Sequence, residues 1–159
     1  LQATGDDTNI DLNLTPKGIG RATFNGQGKI ESVAEKTSID TGAGLSGTFN
    51  FDVLTQAVRL HTGNNTANWT LNFRGDGSNT LNSIMDTGES ITVALISTNG
   101  GSAYYNSAVQ IDGSGVTPVW QGGAAPTAGN ASSKDTYSYT IIKTGDATFT
   151  VLASQTQFA

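Results

Sequence analysis

The two ends of this chain differ in what they can bury. Residues 1–47 are rich in Gly, and their sizeable apolar side chains beyond the first turn are Ile10, Leu12, Leu14, Ile19, Phe24, Ile30, Val33, Ile39 and Leu45. Burying so few groups inside one chain offsets less than the conformational entropy lost in ordering that length of backbone. Residues 48–159 instead read as a succession of short strands. The expected organisation is an extended N-terminal stem, residues 1–47, that draws its buried surface from other copies of the chain, and a compact head, residues 48–159.

The stem pattern favours strand over a disordered linker, because linkers carry high charge and lack alternating apolar residues. Ile10, Leu12 and Leu14 recur at period two with Asp11 and Asn13 between them. Pro16-Lys17-Gly18 then supplies a turn. A second run, Arg21-Ala22-Thr23-Phe24, is closed by the tight-turn pair Asn25-Gly26. Together these predict an intertwined β-stem that oligomerises through Ile10, Leu12, Leu14, Ile19 and Phe24. One alternative stays open further on, where Glu31, Val33, Ala34 and Glu35 could form a single helical turn.

The head reads as all-β. Phe49, Phe51 and Val53 alternate with Asn50 and Asp52, and Val58 and Leu60 continue that strand after a short link. Beyond a Gly63-Asn64-Asn65 turn, Trp69, Leu71 and Phe73 alternate with Thr70 and Asn72. Leu81, Ile84 and Met85 fall at helical spacing behind a Thr80 N-cap, which predicts one short helical turn. Ile91–Ile96 is nearly continuously apolar and is predicted to be a central strand. Tyr104-Tyr105, Val109–Ile111 and Val116–Trp120 follow as short strands, and residues 137–142 and 149–153 form a final hairpin about Gly145-Asp146. Strands at this spacing predict an antiparallel β-sandwich or jelly roll, and no internal repeat is visible.

Charge and composition exclude several functions. The formal net charge is −5 and the eight Lys and Arg residues are scattered singly, so a basic face for nucleic acid or an anionic membrane is not expected. With no cysteine, there can be no disulfide, zinc-thiolate site or cysteine nucleophile. Charged residues make up 13% of the chain, about half the usual share. Gly, Ser, Thr and Asn take the surface positions instead. No apolar run approaches the length of a transmembrane helix, and no apolar core follows a basic start as in a signal peptide. Leu1 stands where an initiating Met would, so a processed product or a fragment is expected.

Motifs for chemistry are weak. His61 is the sole histidine and reads as a turn residue, with no Gly-x-Ser-x-Gly elbow to partner it. The acids of the head are Asp52, Asp76, Asp86, Glu89, Asp112, Asp135 and Asp146; most sit in Gly-bearing turns, and Asp52 has no evident partner for glycosidase chemistry. Arg74-Gly75-Asp76 matches an adhesion tripeptide but reads as a turn. The Asp-Gly turns lack the alternating ligands of a calcium loop. No catalytic residue, cofactor or metal is expected. The best hint of a binding or interface surface is aromatic: Tyr104, Tyr105 and Trp120, each beside a Gly-Gly loop.

Two segments carry a resemblance. Asp7-Thr8-Asn9-Ile10-Asp11-Leu12-Asn13-Leu14-Thr15-Pro16-Lys17-Gly18-Ile19-Gly20 resembles an element recurring in tail-fibre and appendage proteins of tailed bacteriophages. The head, from Gly47-Thr48-Phe49-Asn50-Phe51-Asp52-Val53-Leu54 through Val119-Trp120-Gln121-Gly122-Gly123 to Phe149–Phe158, is similar to virion structural proteins of marine phages, notably those infecting cyanobacteria. The resemblance implies a trimeric fibre with a distal C-terminal head and brings no active-site motif. The expected function is therefore non-enzymatic. A homotrimer on the virion would meet other virion proteins through its N-terminal side and would take a host surface glycan as candidate ligand. The alternatives are a capsid decoration protein and, further off, a glycan-cleaving tailspike.

Overall fold

The computed structural model describes residues 14–24, 26, 28 and 31–159. The chain divides into two compact units, Leu1–Val33 and Ala34–Ala159. Among its described residues the first unit has no strand and no helix. The turn expected near Pro16 is present: Gly18 adopts φ +61°, and the Gly20 N–H donates to the Lys17 carbonyl at 3.1 Å. The strand expected over Arg21–Phe24 does not form within one chain, since a lone extended segment has no ladder partner. The described residues of 31–35 form no helix either. The expectations for Ile10, Leu12 and Asn25 lie outside the described residues.

The second unit begins earlier than the expected boundary at residue 48. Its strands are β1 (Thr37–Asp40), β2 (Gly47–Asp52), β3 (Val58–Asn64), β4 (Trp69–Arg74), β5 (Ser90–Thr98), β6 (Asn106–Ile111), β7 (Ser114–Val116), β8 (Val119–Trp120), β9 (Lys134–Gly145) and β10 (Thr148–Phe158). A short helix, α1 (Leu81–Ile84), interrupts the crossing from β4 to β5. As expected, the Thr80 hydroxyl caps it by accepting from the Ser83 N–H at 3.1 Å. β1 is already a sheet strand and Leu45 is buried in the core, so residues 37–47 belong with the head.

Two sheets enclose that core, a six-stranded one in the order β1-β3-β5-β9-β10-β8 and a four-stranded one in the order β2-β4-β6-β7. The all-β expectation holds, but the antiparallel one does not: five of the eight strand pairs are parallel. The first six strands visit the two sheets alternately, so each circuit of the chain lays its strand beside the previous one in the same direction. Val58 and Leu60 therefore do not continue β2 but start a strand of the opposite sheet. Thr37 pairs with Val58, and Val58 with Ala94, spacings of 21 and then 36 residues. The longer interval holds α1, which hides the repeated circuit from a search for sequence periodicity. Successive circuits press together closely enough that a Cβ at Gly44 would collide with the Asn64 carbonyl.

The core is aromatic and spans both sheets. Trp69 meets Tyr137 edge-on at 5.6 Å between ring centroids, and Phe73 meets Tyr139 at 5.0 Å. Phe51, Leu71, Leu95, Ile141 and Leu81 complete it, all fully buried. The final hairpin of β9 and β10 is the longest antiparallel pair, and Ala147 turns it at φ +46°.

Candidate functional surfaces

Several acids of the head are engaged by the backbone, a neighbouring cation or a side-chain amide. Asp52 takes Arg74 Nε at 2.6 Å, and the carboxylate of Asp76 accepts from the Ser78 and Asn79 N–H groups at 2.7 and 2.8 Å. These bonds hold the Asp76 carboxyl below its ordinary range. Both charges of the Arg74-Gly75-Asp76 tripeptide are thus engaged within the chain. Asp112 binds the first N–H groups of α1, Leu81 N at 2.6 Å and Asn82 N at 2.9 Å. Asp146 accepts from Asn82 Nδ2 at 3.0 Å.

His61 corrects the expectation of a turn residue. It lies within β3, buried, with both ring nitrogens lacking a hydrogen-bond partner and Phe49 edge-on at 4.8 Å. Burial, aided by the nearby Arg59, pushes its pKa down, while Asp40 opposes weakly with its Oδ2 3.8 Å from Nδ1. Arg59 itself ties β1 to β3: it donates to Ser38 Oγ and to Asp40 Oδ2, each at 2.7 Å, and lies over the Phe49 ring. Asp135 on β9 is also buried. Its Oδ2 accepts from Asn130 N at 2.9 Å and Asn99 Nδ2 at 3.2 Å, its Oδ1 has no partner, and burial raises its pKa. Facing it in register is Ser97, whose hydroxyl is likewise unpartnered.

The three candidate aromatics are not gathered at one place by any contact between them. Tyr104 and Tyr105 lie in the segment before β6 and not in the expected short strand; both are half-buried against the core. The Tyr105 N–H donates to Asn68 Oδ1, and its carbonyl accepts from Trp69 N. Trp120, on β8, packs its ring 6.1 Å from that of Tyr139 and borders two shallow depressions. One is lined by Val119, Ser138, Thr140 and Leu152, the other by Asn106, Val116, Pro118 and Pro126. Of the stem residues, Leu14, Ile19 and Phe24 are 52%, 50% and 70% exposed.

The broadest features are the outer faces of the two sheets. The four-stranded sheet turns Asn50, Asn72 and Gln110 outward in one register row and Asp52 with Arg74 in the next. Asn72 Nδ2 donates to Asn50 Oδ1 at 2.8 Å. The six-stranded sheet is different. One row across five strands reads Ile39, Leu60, Ile96, Thr136, Thr156, and the next reads Thr37, Val58, Ala94, Ser138, Ser154. Thr92, Thr140, Leu152 and Val119 follow, then Ser90, Ile142 and Thr150. Lys134, beside Phe158 at one end, is the sole charge among these pairs. The nearly continuous apolar run of β5 predicts a central strand but does not say which of its sides stays uncovered, so this face is not evident from β5 alone. The signal was the uncharged partner strands, residues 136–142 and 150–156.

Comparison of the chain with protein-family models, with curated proteins and with solved structures gives no match.

Proposed function

We propose that the chain is a non-enzymatic structural protein of a bacteriophage virion: a homotrimeric fibre whose N-terminal segment forms an intertwined β-stem and whose β-sandwich-like head contacts the host surface. The observation that carries this reading is the exposure of Leu14, Ile19, Phe24 and Val33 in a unit with no strand or helix of its own among the described residues. Other copies of the chain would supply the buried surface that these side chains lack within one chain. The resemblance of residues 7–20 to phage appendage proteins supports the same conclusion. Three heads on one stem would turn weak contacts with a host glycan, for which the depression lined by Trp120, Asn106, Val116, Pro118 and Pro126 is the candidate, into tight attachment through effective concentration.

Light scattering on the full chain and on a Leu14→Ser, Phe24→Ser variant tests this. A trimer that falls to monomer in the variant supports the stem. A monomeric full chain overturns the fibre and turns the choice to a capsid decoration protein that orders only on its lattice. Shortening of host polysaccharide by the protein would overturn the non-enzymatic reading in favour of a tailspike.

A further inference from the structure

We infer that the outer face of the six-stranded sheet is an interface with further copies of this same chain. The inference deepens the homotrimer reading by naming the surface of the head that the copies share. Of the five large apolar residues exposed in the second unit, four lie on this face: Ile39 at 62%, Val119 at 62%, Leu152 at 44% and Phe158 at 53%. Leu54 is the exception. The half-buried Val58, Leu60, Ile96 and Ile142 lie among them in the same rows. Such a patch is larger than the scattered apolar groups a monomer ordinarily leaves in water.

The occupant follows from charge and size. Each copy carries a net charge of −5, so two copies approach favourably only through a surface free of acids, and the rows of this face contain none. A basic or acidic partner finds nothing to pair with there beyond Lys134. The side chains are mostly short or β-branched, so fixing them against a neighbour costs little rotamer freedom. Strand spacing and rise give a face of about 24 Å by 27 Å, roughly 650 Å². A stable interface needs about 800 Å² from each partner, which this face nearly supplies alone. Serine and threonine hydroxyls along the rows can satisfy one another across the contact, as Thr92 and Thr140 already do within one chain at 3.0 Å.

The absence of cysteine makes the test direct, because a single introduced thiol is the sole thiol of the chain. In the full-length protein, Thr92→Cys places it on this face and Ala108→Cys on the outer face of the opposite sheet, both exposed in one chain. Maleimide labelling of Thr92→Cys should be about tenfold slower than that of Ala108→Cys while the protein is assembled, and the two rates should converge on dilution to monomer. Equal rates in a chain that light scattering shows to be oligomeric overturn the inference.

A second variant, Ser138→Lys with Leu152→Lys, should reduce the mass to that of a monomer while circular dichroism stays β-rich. An assembly that survives both lysines but is dispersed by Leu14→Ser with Phe24→Ser overturns this interface and leaves the stem reading intact. Dispersal by the lysines alone supports the interface and removes the stem as the element that joins the copies. A full chain that is monomeric at every concentration overturns both.

Discussion

The two sheets share one core yet present opposite outer faces. On the four-stranded sheet Asn50, Asn72, Asp52 and Arg74 point outward and bind one another. On the six-stranded sheet the same kind of position holds Ile39, Ala94, Thr140 and Leu152, which bind little beyond the neighbouring hydroxyl. Inward-facing positions of both sheets build one aromatic and aliphatic core, to which the six-stranded sheet adds the buried polar His61, Ser97, Asp135 and Lys143. Alternation therefore specifies which side of a strand meets the core, whereas the residues on its other side record what that side meets in use. Polar pairs suit water; uncharged β-branched rows suit another protein surface.

The largest effect expected is one that leaves this difference untouched, because the core is common to both sheets. Phe73→Ala removes a ring packed against Phe51 and Tyr139 and should cost about 3–5 kcal/mol in denaturant unfolding. Both sheets should melt in a single transition; two transitions would break the picture of one shared core. Next in size is Asn72→Ala on the polar face. It strips the partner from Asn50 Oδ1 and from Gly113 N, each bonded at 2.8 Å, and should cost about 1–3 kcal/mol. By contrast Thr140→Ala, on the uncharged face, loses one hydroxyl contact with Thr92 and should cost under about 1 kcal/mol in the monomer.

How much of this was legible follows from what each signal encodes. Trp69, Leu71 and Phe73 gave their strand and its buried side through alternation alone, and Thr80 marked the start of α1. Strand direction was not legible, since alternation is the same in parallel and antiparallel ladders. The chain's habit of crossing to the other sheet after each of β1 to β5 depends on contacts such as Thr37 with Val58, far apart in sequence. His61 looked like a turn residue because Gly63-Asn64 follows it, but those residues extend β3. The outer face of the six-stranded sheet was hidden for a related reason: the nearly continuous apolar run Ile91–Ile96 shows little alternation, so only its pairing with β3 and β9 places Ala94 and Ile96 on the outer side.

Acidity acts on the six-stranded sheet through the buried His61 and Asp135. His61 has its folded pKa below the ordinary value of about 6.5, through burial and Arg59 against the weaker pull of Asp40. The unfolded chain then binds the proton first, so this part of the stability is complete above about pH 6.5 and is lost as the pH falls toward the lowered folded value. Asp135 has the opposite sign. Its raised pKa means that its folded form is best below about pH 3.9 and loses stability as the pH rises through the folded value. Asp135→Asn should therefore leave stability at pH 7 unchanged or higher. A clear loss at pH 7 would mean that the carboxylate charge is itself stabilising.

The smallest effect sharpens the comparison most. Arg74 and Asp52 are about 30% exposed, and pairs of that kind contribute about 0.2–1 kcal/mol, less in salt. A double-mutant cycle with Arg74→Ala and Asp52→Ala should return a coupling in that range, falling further between low and 1 M salt. That outcome fits a polar face open to water in the assembled protein. A coupling well above 1 kcal/mol that ignores salt would mean that the pair is shielded, so that the polar face is covered as well. The contrast between the two sheets would then reflect two different partners, and not one interface and one free surface.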